Sequence, residues 1–435
     1  MRDLVLITSF VIMLGPAFSM PHVGVLVWTW VALMNPHRLS FGFTRGLQLN
    51  LIIAVITLLA WILSRERVRI PMTATTGLMI VFTIWMIVTT FTGLDVEYSL
   101  EYLIRNLKTM AMAFAVMGLI NNRARIHALI WTLVIALGFY GVKGGLFTAI
   151  TAGNYRFWGP PKSMIYDNNH LAVALLMLVP LIFYLRGHSA SKLVRRGLAG
   201  VIFVTLIAII GTYSRGAMVA LAGTLGAFWF RSRHKFVGMV AIFFLGIGVV
   251  AFMPDKFIDR AQSIETAEQD SSFQGRLEAW QTGYNIASKR PLVGAGFRAY
   301  EKGAIAHRFN PDLSTAFGRA MHSIYFQVLA DMGWVGLILF LAILFTVWRN
   351  IRFVVHRTRG IAELAWAHDL ARMLEISFVA YGIGGAALSL AFYDGTYVLV
   401  ALSVALRILV TEHLKAQAAQ SPAVPAPGQR LVPTH

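Results

Sequence analysis

Apolar runs long enough to cross a bilayer alternate with short polar loops along nearly the whole chain. A spanning helix needs roughly 20 apolar residues, with a range of about 17–25. On that basis helices are expected near Leu49 to Leu63, Thr76 to Phe91, Leu107 to Ile120, Ile126 to Ile150, His170 to Leu185, Gly197 to Ile210 and Gly216 to Phe230. Further runs lie at Phe236 to Phe252, Ile324 to Trp348, Leu374 to Leu390 and Thr396 to Val410. Leu4 to Met34 is interrupted by Gly15-Pro16 and Met20-Pro21, which predicts one broken crossing there; a helical hairpin with an outside N-terminus is the alternative. The expected fold is an all-α polytopic membrane protein of about 12 transmembrane helices.

One stretch breaks the rhythm. Residues 252–322 are polar between apolar runs and carry Arg276, Arg298, His307, Arg308 and Arg319. They are expected to form a large extramembrane loop between N-terminal helices (residues 1–251) and C-terminal helices (323–410), with a disordered tail over 411–435. Inside that loop Ser271 to Lys289 has Phe273, Leu277, Trp280, Tyr284 and Ile286 at helical spacing, which predicts an amphipathic helix.

Composition supports the membrane reading: 57% of residues are hydrophobic and only 13% charged, against about 45–50% and about 25% in soluble domains. The formal net charge of +18 would suggest nucleic acid in a soluble chain. Here most Lys and Arg fall in short loops, Arg65 to Arg69, Arg123 to Arg125, Arg186 to Arg196, Arg231 to Lys235 and Arg349 to Arg359. That is the positive-inside signature, which places both termini in the cytoplasm and argues against nucleic acid as a partner. The start has a single Arg2 before its apolar run, so no cleavable signal peptide is expected. With no cysteine, thiol catalysis and thiolate metal sites are excluded.

Basic residues on the opposite side carry information because topology does not require them. Arg105, Lys108, Arg156, Lys162, Arg215, Arg276, Arg298 and Arg319 all map there. One such arginine can snorkel to lipid phosphates; the set suits an anionic ligand, which guanidinium groups bind bidentately. Arg215 sits in Thr212-Tyr213-Ser214-Arg215-Gly216, a tight turn whose following helix N-terminus attracts phosphate. His322 stands at the mouth of the run after the polar loop, where an imidazole titrating near 6.5 has a general base's working range. The loop Tyr155 to His170, with Arg156, Lys162, Tyr166, Asp167, Asn168 and Asn169, is a second candidate wall. A P-loop, a His-Glu-x-x-His, an Asp-rich metal cluster and a Gly-x-Ser-x-Gly elbow are all missing. Within the predicted crossings only Glu375, with Asp331 near a boundary, is acidic, which disfavours a coupled transporter.

In this order and spacing, Thr212-Tyr213-Ser214-Arg215-Gly216, Gly275-Arg276 with Trp280, Pro291 to Phe297, and His322 with Gly333-Trp334-Val335-Gly336 resemble the O-antigen ligase family, which includes O-antigen polymerases and protein O-oligosaccharyltransferases. The start, Met1 to Val5 with Trp30 to Arg38, is similar to a subgroup of O-glycosylation ligases. The resemblance implies a cofactor-free, metal-independent, inverting GT-C type glycosyltransferase of the bacterial inner membrane, with its site facing the periplasm. It would move a glycan from undecaprenyl pyrophosphate to a hydroxyl of lipid A-core oligosaccharide, with a growing glycan or a protein hydroxyl as alternative acceptors. The roles it implies are His322 as general base, Arg215 and Arg276 as catalytic cations, and Arg156, Lys162, Tyr166, Asn168, Asn169, Arg298 and Arg319 as substrate-binding residues. From another class, a lipid or polysaccharide transporter would share a groove and a basic mouth.

Overall fold

The computed structural model describes residues 1–64, 69–231 and 271–420. The expected run at Phe236 to Phe252, the start of the polar loop over 252–270, most of the two basic loops at 65–69 and 231–235, and residues 421–435 lie outside the described residues. Described helices are α1 (Arg2–Ser19), α2 (Pro21–Met34), α3 (Leu49–Leu63), α4 (Ala74–Phe91), α5 (Val96–Leu119), α6 (Arg123–Ile150), α7 (Asn168–His188), α8 (Lys192–Gly211) and α9 (Arg215–Arg231). After the gap come α10 (Ser271–Lys289), α11 (Gly303–Phe309), α12 (Ile324–Arg357), α13 (Ala365–Gly385) and α14 (Asp394–Gln420). Among the described residues there is no β-strand, and seven helices, α1, α4, α6, α7, α8, α12 and α14, are long and apolar enough to cross a membrane. The chain is a multi-pass helical protein. α7 is its central helix, packed against α6, α8, α9 and α13 and buried over most of its length.

The N-terminal stretch is a hairpin rather than one broken crossing. Asp3, in the first turn of α1, accepts hydrogen bonds from the Thr44 backbone N–H (3.1 Å) and hydroxyl (2.5 Å), in the connection between α2 and α3. The first turn of α1 therefore lies beside that connection, and α1 and α2 pack on one another. The cause is local: Met20 is extended (φ −129°, ψ 93°) and Pro21 opens α2 at the position where a missing N–H costs nothing. At the other terminus α14 continues to Gln420, ten residues past the expected end at Val410. Residues 411–420 are rich in helix formers, and Gln417 Nε2 holds Glu363 at 2.7 Å.

Residues 271–322 form a lobe with its own small core of Ala279, Ile286, Ala295, Ala299, Tyr300, Phe309, Met321 and Ala330. Helix α10 has the expected bounds but another inward face. Phe273, Leu277 and Tyr284 are exposed, while Gly275, Ala279, Thr282, Gly283 and Ile286 are buried. The small residues at positions 275, 279 and 283 allow close approach to the chain entering α12: a Cβ on Gly283 would stand 3.1 Å from Met321 Sδ.

That lobe is fastened to the bundle at a break in α12. Gly333 has φ 69° and ψ −169°, a conformation essentially restricted to glycine. The break frees carbonyls that a continuous helix would bond internally, and each finds a partner. Ala330 O accepts Ala295 N–H (2.8 Å), Asp331 O accepts Gly296 N–H (3.0 Å), and Met332 O accepts Trp85 Nε1–H (3.1 Å). Trp334 N–H in turn donates to Pro291 O at 2.8 Å. Gly294 (φ 62°) lies so close that a Cβ there would meet Ala330 O at 2.6 Å. The two glycine-rich segments singled out in the sequence are thus two sides of one joint.

The joint sets a stability test. A Cβ on Gly333 would stand 2.5 Å from Pro291 O as well as straining the backbone, so Gly333→Ala should lower stability by about 2 kcal/mol or more. Gly15→Ala, at a helical site with nothing within 4 Å, should change it by no more than about 1 kcal/mol, toward stabilisation. Thermal unfolding of the two purified variants checks this; equal melting temperatures would contradict it.

Candidate active site

Three chain segments meet at the lobe end of α7. Asp167 caps that helix, its Oδ1 accepting the Asn169 (2.9 Å) and His170 (3.3 Å) backbone N–H groups and the Asn169 side-chain amide (2.9 Å). Asn168, buried, donates its side-chain amide to Thr212 O at 2.6 Å. Tyr213, at φ 57°, completes the turn and donates its hydroxyl to Gly153 O. Ser214 Oγ then accepts Ala217 N–H at 3.0 Å, starting α9 with Arg215 in its first turn. Asn168 therefore ties the α7 cap to the Arg215 turn.

His322 enters from the lobe. Its φ of 45° is unusual for a residue with a Cβ, and its neighbours hold it there. His322 N–H donates to Ser389 Oγ (2.9 Å), and Trp280 Nε1–H donates to the preceding Met321 O (2.7 Å). The Trp280 ring stacks on Phe326, centroids 5.2 Å apart. The segment carrying Ser389 also reaches the first turn of α9: a Cβ on Gly216 would contact Ala387 at 3.4 Å. One short turn between α13 and α14 thus buttresses both His322 and the start of α9.

Electrostatics match this convergence. Burial, then the positive charge of Arg276, pushes the His322 imidazole down to about 4; His170 and Arg319 act in the same direction and Asp167 opposes them. At neutral pH the His322 imidazole is uncharged, with the Arg276 and Arg319 guanidiniums and the Asp167 carboxylate near it. Arg276 projects from α10, and the adjacent Gly275 leaves room for Arg319, whose guanidinium would clash with a Cβ there. Arg319 pairs with Glu278 (3.5 Å) and donates to Ser314 Oγ (3.2 Å).

The remaining expected residues divide. Arg298 is committed within the protein: its guanidinium pairs with Glu301 at 2.5 Å, lies over the Tyr102 ring at 4.9 Å, and its backbone N–H donates to Asp331 Oδ1 at 2.8 Å. Asn168 and Asn169 act as ties in the α7 cap. Tyr166 is exposed with its ring against Trp158, and Arg156 is half-buried on the same loop. Lys162, at φ 59°, lines a different cavity beside Arg105 and Lys108. Sequence reasoning put Asp167 and His170 in the loop that forms a second candidate wall but gave neither a role beside His322. Their signal was an acidic residue three positions before a histidine at a helix start, which reads as a cap.

Chemically, the arrangement offers a neutral base among fixed cations beside a helix N-terminus. That suits deprotonating a hydroxyl while a negative charge builds on a phosphate leaving group. Residues 199–341, which include Arg215, Arg276 and His322, match the family described as O-antigen ligase, and residues 1–190 match a family of unknown function. Among curated proteins the chain is similar to the exopolysaccharide production protein ExoQ of Rhizobium meliloti (strain 1021), 24% identical over 283 residues covering 61% of this chain and 62% of that protein. The alignment thus spans less than two thirds of that relative's length.

The depressed His322 value gives a titration with a definite sign. The unfolded imidazole takes its proton near 6.5 and the folded one near 4, so the unfolded state binds more protons between these limits and stability falls as pH drops through that window. In histidine-labelled protein the His322 resonance should stay in its neutral position down to about pH 4, and His322→Gln should lessen the acid loss of stability. A His322 midpoint at 6.5 would contradict the geometry described.

Proposed function

We propose that this chain, whose residues 199–341 match the family described as O-antigen ligase, is a membrane glycosyltransferase that moves a glycan from undecaprenyl pyrophosphate to an acceptor hydroxyl at the periplasmic face of the inner membrane. The observation that carries this reading is the neutral, half-buried His322 beside Arg276 and Arg319 at the mouth of α12. The acceptor O–H gives its proton to His322 and its oxygen attacks the anomeric carbon. The bond from that carbon to the phosphate oxygen breaks, and the electron pair leaves with the polyprenyl diphosphate. Arg276 and Arg215 offset the charge that develops there, which removes the need for a divalent metal. Attack opposite the leaving group inverts the anomeric centre.

The leading acceptor is lipid A-core oligosaccharide. A growing polysaccharide is the second reading, favoured by the similarity to a protein named for exopolysaccharide production; a protein hydroxyl would use the same chemistry. Purified enzyme given lipid-linked glycan and each acceptor separately, without metal or nucleotide, distinguishes them by product. Transport of intact donor across a bilayer without glycosidic cleavage would overturn the transferase reading.

Arg215→Ala and Arg276→Ala should abolish transfer while the protein still folds. A charge-assisted contact to phosphate contributes about 1.5–3 kcal/mol, and more when it strengthens as the leaving group charges. Lysine should substitute poorly if the contact is bidentate. Both His322→Ala and His322→Gln should lose about 10²–10⁴-fold in turnover yet keep donor binding; retained turnover in His322→Gln would remove it as the base. In the wild type, kcat/KM should hold through pH 6.5 and decline only toward about 4.

A further inference from the structure

A cavity lies at the same end of the bundle, between α2, α3, α5, the 162–165 loop and the start of α14. Its volume is about 140 Å³, far above the roughly 10–15 Å³ that admits one water molecule. The mouth carries three exposed cations, Arg105, Lys108 and Lys162, and the interior is formed by buried side chains such as Trp28 and Tyr393. Among the described residues lining it, Asp394 is the one carboxylate, and its Oδ1 accepts the Thr109 hydroxyl. Two lining polar atoms, Asn50 Oδ1 and the hydroxyl of Tyr393, are buried without a hydrogen-bond partner. Tyr393 is only 2% exposed. Three cations against one carboxylate, with a buried hydroxyl left over, are complementary to a compact anion rather than to water alone.

The mouth also has an apolar approach. On α5, Leu100 and Ile104 precede Lys108 at four-residue intervals and are exposed, so they share its helix face. On α3, Leu51 and Ile52 follow Asn50 and are exposed as well. We infer that this cavity is a binding site for the phosphate headgroup of a lipid, separate from the His322 site, with the lipid's tail lying along α3 and α5. Arg105, Lys108 and Lys162 hold the phosphate oxygens, the Tyr393 hydroxyl donates to one of them, and Asn50 meets a protonated or hydroxyl group of the head. The inference does not depend on the transfer chemistry. The phosphate has two sources: an anionic phospholipid of the bilayer, or an isoprenyl diphosphate.

Native mass spectrometry of the full chain released from phosphatidylcholine nanodiscs, with phosphatidylglycerol or geranyl diphosphate titrated in, tests it. Wild type should retain one anionic lipid over the neutral background. The Arg105→Gln/Lys108→Gln variant should weaken retention at least about tenfold, Lys162→Gln on its exposed loop should weaken it without risk to folding, and Tyr393→Phe should weaken it severalfold. Preference for phosphatidylglycerol identifies a phospholipid site, and preference for geranyl diphosphate identifies a second station for an isoprenyl carrier. Retention that is absent, or unchanged in Arg105→Gln/Lys108→Gln and Lys162→Gln, overturns the inference. Retention lost only in Arg276→Ala would place the lipid in the His322 site, overturning this inference while leaving the transfer reading intact.

Discussion

The break of α12 at Gly333 is the constraint on which the lobe and the site depend. A helix interrupted inside an apolar bundle exposes carbonyls that have no water to turn to, and such groups cost several kcal/mol each if left unpaired. Here the loop at Pro291 to Phe297 takes two of them and Trp85 a third. The same loop continues into Arg298, whose backbone bonds Asp331, and Lys302 then pairs with Asp95 at the start of α5. Satisfying the broken helix therefore fastens the lobe over the bundle. His322 lies two residues before α12 begins, so its position relative to the α7 cap and α9 follows from that fastening.

Backbone strain gathers around the same region. Tyr213 and His322 both take positive φ despite having side chains, and such conformations persist only where surrounding contacts over-determine them. Tyr213 is held through its hydroxyl to Gly153, and His322 through Ser389 on one side and the Trp280–Met321 bond on the other. Preorganisation of this kind keeps the imidazole, the Arg276 helix and the α9 terminus in register. Burial then does the electrostatic work, holding His322 neutral beside cations that would otherwise repel its protonated form.

Much of the fold was legible because lipid and protein interiors select on the same property that a sequence displays directly. The apolar runs at 49–63, 126–150 and 170–185 fall within or at the bounds of α3, α6 and α7, and α10 begins and ends where its periodicity does. The face of α10 was not legible, because spacing alone cannot tell which stripe finds a partner. Gly275, Ala279 and Gly283 won the interior over Phe273 and Tyr284, with Gly275 leaving room for Arg319 and Gly283 for Met321 on the chain entering α12. Likewise Gly15-Pro16 and Met20-Pro21 were equally good marks for a kink or a reversal, and the Asp3–Thr44 contact decided for reversal.

The sequence by itself determined that this chain is a multi-pass membrane protein, which short motifs it carries, and which basic residues lie outside the short basic loops. Only the tertiary structure decided how those cations divide. Arg276 and Arg319 stand with His322, Arg298 is spent on Glu301 and Tyr102, and Lys162 joins Arg105 and Lys108 around another cavity. It also decided that Asp167 and His170 belong beside His322, about 150 residues away in the chain. The reason is physical: hydrophobicity and loop charge act on each segment separately and leave a local record. Charge pairing, close approach and the needs of a broken helix exist only between segments and are settled when those segments meet.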